Sequence, residues 1–426
     1  MEQTRDFMII TYNEGRSNFS HKNVDEVVDD IFLKNPLLIF VCTQEASSGN
    51  IHFQKKLKKE LERRHPYKYK ILLKFSNIRI GLPGNKNVKT YVYYLIDRCY
   101  LSPDYKKYTF YKPMITSHVT EKIGNMQQNP SKKPIHIYEN VTYRAKQNYT
   151  KNNLFEIIGY GIYNSKHSGL GTIINKTLFK GAIYIRVEIM INGKIVKIIV
   201  ANSHLFFKAD KETGLSKREK QFLSILSEFN FAKKLKEGYN IFFCGDLNFR
   251  FKNTLNKEAS LTFSEKMLRI LREEERIMPN MFSKYSIKNE LYDYLQQLKT
   301  ESFVKNNNMI EIVDEFKKSL DTIGFPITCR VIEKKNRLIL DKDNKTTKEK
   351  ENKYRCIESK NANKSKAIFR CYKHIELTPS NCDKILFALS SNPVTIKPIS
   401  KNNVRLYPTI DLSDHYTMSL VGDFIR

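Results

Sequence analysis

Residues 241–251 read IFFCGDLNFRF: an apolar run closed by a glycine, then Asp246 and Asn248 spaced i, i+2, then an arginine between two phenylalanines. An apolar run of this length reads as a strand buried on both faces. Strand side chains alternate, so two polar residues two apart project to the same side. Asp246 and Asn248 would then converge at the end of a sheet, where loops carried on a rigid scaffold place chemistry. The same letters also fit a strand followed by an Asx-rich turn. This stretch alone leaves both readings open.

The rest of the chain repeats the pattern. MIITYN ends in Asn13, LIFVCTQE in Glu45, and KIIVANSHL in Asn202 and His204. Towards the C-terminus, Asp383 stands just before an apolar run in PSNCDKIL, and Asp414 and His415 do so in LSDHYTMSL. A histidine beside an apolar strand is ordinarily a satisfied structural residue. Several such endings in one chain instead suggest shared chemistry. A carboxylate at Glu45 with oxygen donors at Asn13 and Asp414 suits Mg²⁺, which binds through one or two carboxylates and keeps several waters. Two histidines and an Asp-x-Asn pair suit hydrolysis of a phosphate ester, where charge develops on phosphoryl oxygens and a water must be oriented. A histidine held by a buried aspartate, as His415 by Asp383, has its tautomer fixed.

The 426 residues allow one large domain or two ordinary ones, and 41% hydrophobic with 12% aromatic content supports a substantial core. The net charge of +28 points to an anionic partner: nucleic acid, an anionic membrane face or a phosphorylated small molecule. Seven cysteines without a CxxC pair argue against a disulfide framework and for a reduced, intracellular compartment. MEQTRDFMIITYNEG lacks the n- and h-regions of a signal peptide, and no stretch approaches the ~18 apolar residues of a membrane span.

Apolar runs at 7–13, 36–45, 69–75, 90–96, 182–191, 194–205 and 239–249 predict strands, and Asn192-Gly193 joins two of them in a hairpin. Residues 216–236 read as one amphipathic helix, and 257–305 as several short ones. The expected fold is α+β, two packed, mostly antiparallel sheets flanked by helices. It forms a single domain over 1–426, interrupted by loop insertions at 101–152 and 333–366. The second carries 12 Lys+Arg against 6 Asp+Glu, with almost no apolar content after Leu340.

The ordered set TYN, QE, NSHL, GDLNFR, PSNCDKIL and SDH resembles the endonuclease/exonuclease/phosphatase superfamily, whose fold is a DNase-like four-layer sandwich. Within it, GDLNFR with PSNCDKIL is similar to the signature pair of the inositol polyphosphate 5-phosphatases. LYDYLQQLK (291–299), FPITCR (325–330) and Lys180-Gly181 fall where that family has related segments. The resemblance spans residues 7 to 420. It implies an Mg²⁺-dependent phosphatase removing the 5-phosphate of phosphoinositides or soluble inositol polyphosphates. A nuclease of the same superfamily, or a phosphoinositide-binding pseudo-enzyme, is the alternative.

Carried over, the resemblance implies Glu45 as the principal Mg²⁺ ligand, with Asn13 and Asp414 completing the site. Asp246 would orient or deprotonate the water, Asn248 would hold the scissile phosphate, and His204 and His415 would contact it, with Asp383 orienting His415. Lys180, Arg250, Arg330 and Lys384 would be substrate-facing or supporting basic residues. The family's Tyr-Lys after PT is here Cys329-Arg330. Ile375 and Leu377 stand where its lipid-specific members carry basic residues, so the grip on a 4-phosphate is expected to be weakened. The implied partners are the substrate and an anionic membrane surface, ahead of nucleic acid. A monomer is expected, cytoplasmic and able to attach peripherally to membranes.

Overall fold

The computed structural model describes residues 4–14, 24–46, 53–76, 87–109, 155–164, 181–207, 212–254, 276–329, 333–334, 337–338, 380–407 and 415–426, with isolated positions between 263 and 274. In chain order, β1 (Phe7–Asn13) leads through α1 (Asp25–Lys34) to β2 (Leu38–Ala46), then α2 (Phe53–Arg64), β3 (Tyr69–Ser76) and β4 (Asn87–Leu95). Next come β5 (Cys99–Thr109), β6 (Phe155–Asn164), β7 (Gly181–Ile191) and β8 (Lys194–His204). Two helices, α3 (Glu212–Glu228) and α4 (Phe231–Lys236), precede β9 (Tyr239–Asp246) and the short strands β10 (Phe251–Asn253) and β11 (Ile287–Asn289). After α5 (Glu290–Leu298), α6 (Ser302–Asn306) and α7 (Ile310–Ile323) the chain forms β12 (Glu333–Lys334), β13 (Arg337–Leu338), β14 (Asp383–Ala388), β15 (Val404–Tyr407) and β16 (Thr417–Gly422).

Two six-stranded sheets result, ordered β15-β16-β1-β2-β4-β3 and β14-β9-β8-β7-β6-β5. Neighbours are antiparallel except at β1/β2, β8/β9 and β5/β6. Period-2 alternation divides each central strand between two layers. Phe7 and Ile9 of β1 meet Phe242 and Cys244 of β9 between the sheets. Met8, Ile10 and Tyr12 pack outward under α1 and α2 with Val27, Ile31, Leu57 and Leu61. On the far side, Ile241 and Phe243 meet Phe222 of α3, Leu295 of α5 and Phe316 of α7. The order of layers is therefore helices, sheet, sheet, helices, the expected sandwich.

Local sequence explains most elements. Asn192 and Gly193 both take positive φ (49° and 78°), as a type I′ hairpin turn requires, and β7 and β8 pair without a register shift. The single helix expected over 216–236 is instead α3 and α4, because Asn230 turns into the left-handed region (φ 53°) between them. Residues 101–109, expected within an insertion, belong to β5 at the edge of the second sheet. Residues 110–154 lie outside the described residues, and of the insertion expected at 333–366 only the pair β12–β13 is described. Among the described residues, no helix is long and apolar enough to cross a membrane.

Candidate active site

Two of the three parallel pairs decide where polar side chains gather. β1 and β2 run in the same direction, as do β8 and β9, so Asn13, Glu45, His204 and Asp246 all come at or near C-terminal strand ends. In the second sheet, Asp246 is registered opposite His204 on one side and opposite Asp383 on the other. The two sheets meet over this carboxylate.

Asp246 Oδ2 accepts a hydrogen bond from Asn13 Nδ2 at 2.8 Å, and its Oδ1 accepts the backbone N–H of Asn248 at 3.0 Å. His204 Nε2 lies 3.4 Å from Asp246 Oδ2 and 3.9 Å from Glu45 Oε1. Asn248 Nδ2 donates to Leu205 O at 3.0 Å. On β14, Asp383 Oδ2 bonds His415 Nδ1 at 2.7 Å, while the Asp383 N–H donates to Thr328 Oγ1 at 3.0 Å. Burial pushes the Asp383 carboxyl above its ordinary value, and His415 opposes that rise. Its Oδ1 has no hydrogen-bond partner among the described residues.

Backbone strain accompanies this geometry. Glu45 (φ 53°) and Asn248 (φ 58°) both adopt left-handed conformations. At Glu45 the β2/β4 register shifts between Thr43 and Ala46, a bulge of the kind that re-aims a side chain. Left-handed backbone at a glutamate is uncommon, costs of order 1–3 kcal/mol and collects at functional sites.

Arg250 is buried, with its guanidinium carbon 5.3 Å from the Phe207 ring centre. Its Nε and Nη1 have no hydrogen-bond partner among the described residues. Burial alone would lower its affinity for a proton, but the surroundings, Asp246 and Glu290 included, more than offset this. Lys384 is also buried, and its ammonium donates to Phe249 O at 3.0 Å and to Asn381 O. Its place is thus behind the 247–250 loop, holding backbone. Lys180, Arg330 and Asp414, together with Ile375 and Leu377, lie outside the described residues.

Sequence reading named Asn202 only as a strand ending and missed Gln44 and Glu290, which support the site. Gln44 Nε2 donates to Asn202 Oδ1 at 2.7 Å, and Asn202 Nδ2 donates to Lys89 O and Thr90 Oγ1, a buried polar bridge between the sheets. Glu290 Oε2 accepts the Arg250 N–H at 3.0 Å and is paired with buried Arg218 at 2.8 Å, fixing the loop after Asp246. Glu290 directly precedes LYDYLQQLK, so its place beside a recognisable segment was the available signal.

The donors suit a hard divalent cation. Glu45 has a side chain 23% exposed, and Asn13 adds an amide oxygen, a set matching an ion that binds few protein carboxylates and keeps waters. Among the described residues no three His, Cys, Asp or Glu gather into a metal-binding group, so the fit rests on these oxygen donors.

Residues 89–293 match the family model described as Endonuclease/Exonuclease/phosphatase family 2. No curated protein matches the chain. Similar solved structures include the inositol polyphosphate 5-phosphatase domain of SPsynaptojanin in complex with inositol (1,4)-bisphosphate and calcium, at 13% identity and TM-score 0.43 over 99% of this chain and 84% of that one. Cimex nitrophorin in its ferrous NO complex is 12% identical with TM-score 0.44, covering 100% of this chain and 99% of that one. D. rerio TDP2 with a single-strand DNA product is 10% identical with TM-score 0.38, covering 98% of each chain.

Proposed function

We propose that this protein is a divalent-metal-dependent hydrolase of phosphate monoesters, and that its substrates carry the 5-phosphate of a phosphoinositide or soluble inositol polyphosphate. The observation that carries the reading is the convergence on Asp246 of Asn13, His204 and Asn248, with the Asp383–His415 pair on the next strand. A purely structural carboxylate has no need of a histidine on one side and an Asp–His pair on the other.

In this reading Asp246 takes a proton from the attacking water as the phosphorus–oxygen ester bond breaks. Asn13 and the Asn248 N–H hold the Asp246 carboxylate in one orientation for that transfer. His204 lies at the edge of the same carboxylate and faces the phosphoryl oxygens, where negative charge grows. With Nδ1 of His415 committed to Asp383, Nε2 is the ring nitrogen that reaches the ester. Glu45 and Asn13, with Asp414 as a third donor, would hold a divalent cation, which would supply charge neutralisation and a more acidic water.

Substrate choice follows from what stands near Asp383. Cys329, where the resembled family has tyrosine, is fully buried and offers a thiol in place of a phenol. We therefore assign this site a weaker dependence on a neighbouring 4-phosphate than that family has. The +28 charge is assigned to an anionic membrane surface, each nearby Lys or Arg adding about 1 kcal/mol of attraction.

The test is metal dependence. Glu45→Ala should lower turnover of a phosphate monoester by at least about 10²–10³-fold with little change in melting temperature, and excess chelator should abolish wild-type turnover. Full turnover in excess chelator would rule the mechanism out.

A further inference from the structure

One short segment braces the backbone on both sides of the Asp383–His415 pair. Past α7, residues 326–329 lie alongside 380–383. The N–H groups of Thr328 and Cys329 donate to Ser380 O at 2.9 and 3.0 Å, and the Ser380 N–H donates back to Cys329 O at 3.0 Å. Asn381 Nδ2 donates to Pro326 O at 2.7 Å. On the segment's side these bonds use main-chain atoms only, so its attachment does not depend on its side chains.

Thr328 adds two bonds that reach the pair itself. Its Oγ1 accepts the N–H of Asp383 at 3.0 Å, and its carbonyl accepts the N–H of Tyr416 at 2.6 Å. Tyr416 follows His415, which forms an antiparallel bridge with Cys329. Asp383 Oδ2 and His415 Nδ1 meet at 2.7 Å, so Thr328 braces both partners of that bond. β14 is the edge strand of its sheet, and the Thr328 hydroxyl stands where a further strand would offer a carbonyl to Asp383. Thr328 and Asp383 are fully buried. Asp383 Oδ1 has no hydrogen-bond partner among the described residues, so the carboxylate is oriented by His415 and by its own backbone. The hydroxyl fixes that backbone.

We propose that Thr328 is a positioning residue, whose hydroxyl holds Asp383 so that the carboxylate keeps His415 Nε2 aimed at the ester. This rests on the hydrolase reading above. The hydroxyl takes no part in making or breaking bonds. Without it the Asp383 N–H is buried with no acceptor, a state costly enough to drive the strand end towards another partner. Movement of Asp383 turns the His415 ring through their shared bond. A misplacement of about 1 Å at a reacting group costs up to about 10²-fold in rate. The loss falls on kcat, because His415 acts on charge that develops only in the transition state.

The experiment compares Thr328→Val, which removes the hydroxyl at nearly constant volume, with Thr328→Ser, which keeps it. Phosphate release from inositol 1,4,5-trisphosphate with Mg²⁺ is followed over a range of substrate concentrations. In parallel, the His415 ring signal of the full chain is recorded in histidine-labelled samples and assigned with His415→Gln. Thr328→Val should lower kcat by about 10–10²-fold with KM little changed, and should displace the His415 signal. Thr328→Ser should retain most of the rate and leave the signal in place. In the His415→Gln background, Thr328→Val should add no further loss, since both changes act through one group. A Thr328→Val protein that melts lower but keeps wild-type kcat and an unmoved His415 signal would overturn the positioning role. Equal losses and equal displacements in the Val and Ser variants would do the same. If Thr328→Val does not fold, Thr328→Ala set against Thr328→Ser differs only by the hydroxyl and makes the same comparison. Absence of phosphate release from the wild type would count against the hydrolase reading for this substrate, and the His415 signal then decides the positioning role by itself.

Discussion

Lys384 shows how far a side chain's role can depart from its sequence neighbourhood. The resemblance around PSNCDKIL implied a cation facing substrate, yet the Lys384 ammonium is spent on Phe249 O and Asn381 O. Nothing in the letters discloses this, because the carbonyls come from two loops brought together only by the β9/β14 pairing. Asp246 and Asp383 were legible because each closes or opens an apolar run. The left-handed backbone of Glu45 was not, since glutamate gives no warning of positive φ. Burial lowers the Lys384 pKa from 10.5 to about 8. Between those values the unfolded chain holds a proton that the folded one has released, so stability rises with pH. Wild type should gain up to about 3 kcal/mol on Lys384→Met as pH goes from 8 to 10.5. Denaturation midpoints of the two proteins measured across that range check this, and parallel curves would contradict it.

Among the elements, β8 and β9 matter most, since their parallel pairing puts His204 beside Asp246. Gly245 makes that approach possible: its φ is 125°, and a Cβ there would stand 2.0 Å from Ser203 O. Gly245→Ala should therefore cost more than about 2 kcal/mol, since both strain and a backbone clash must be relieved. Gly193→Ala is the control. Gly193 also has positive φ, 78°, but nothing lies within 4 Å of the added methyl, so only about 1 kcal/mol is expected. Thermal or chemical unfolding of both variants makes the comparison, and equal losses would contradict it. The β7–β8 hairpin was readable because Asn-Gly has a local meaning. The break at Asn230 and the strand at 101–109 were not, since each depends on what the segment packs or pairs with.

At the scale of the molecule, four layers hold the site by its edges. One sheet brings Asn13 and Glu45, the other brings His204, Asp246 and Asp383, and the Gln44–Asn202 bridge locks the two in register beneath them. Alternating apolar runs made this architecture readable. The inter-sheet bridge was not, because no local pattern pairs a glutamine with an asparagine 158 positions away. Charge is the other global property, and +28 alone does not separate a membrane from nucleic acid. One measurement addresses both chemistry and partner. Inorganic phosphate release is followed from soluble inositol 1,4,5-trisphosphate and from vesicles of phosphatidylcholine with phosphatidylinositol 4,5-bisphosphate. The same protein, Mg²⁺ and salt are used, with strand cleavage of single-stranded and duplex DNA followed in parallel. The expected result is Mg²⁺-dependent phosphate release from at least one inositol substrate, lost in Asp246→Asn, and no DNA cleavage above that variant's background. Cleavage of DNA with no phosphate released from either inositol substrate would contradict it.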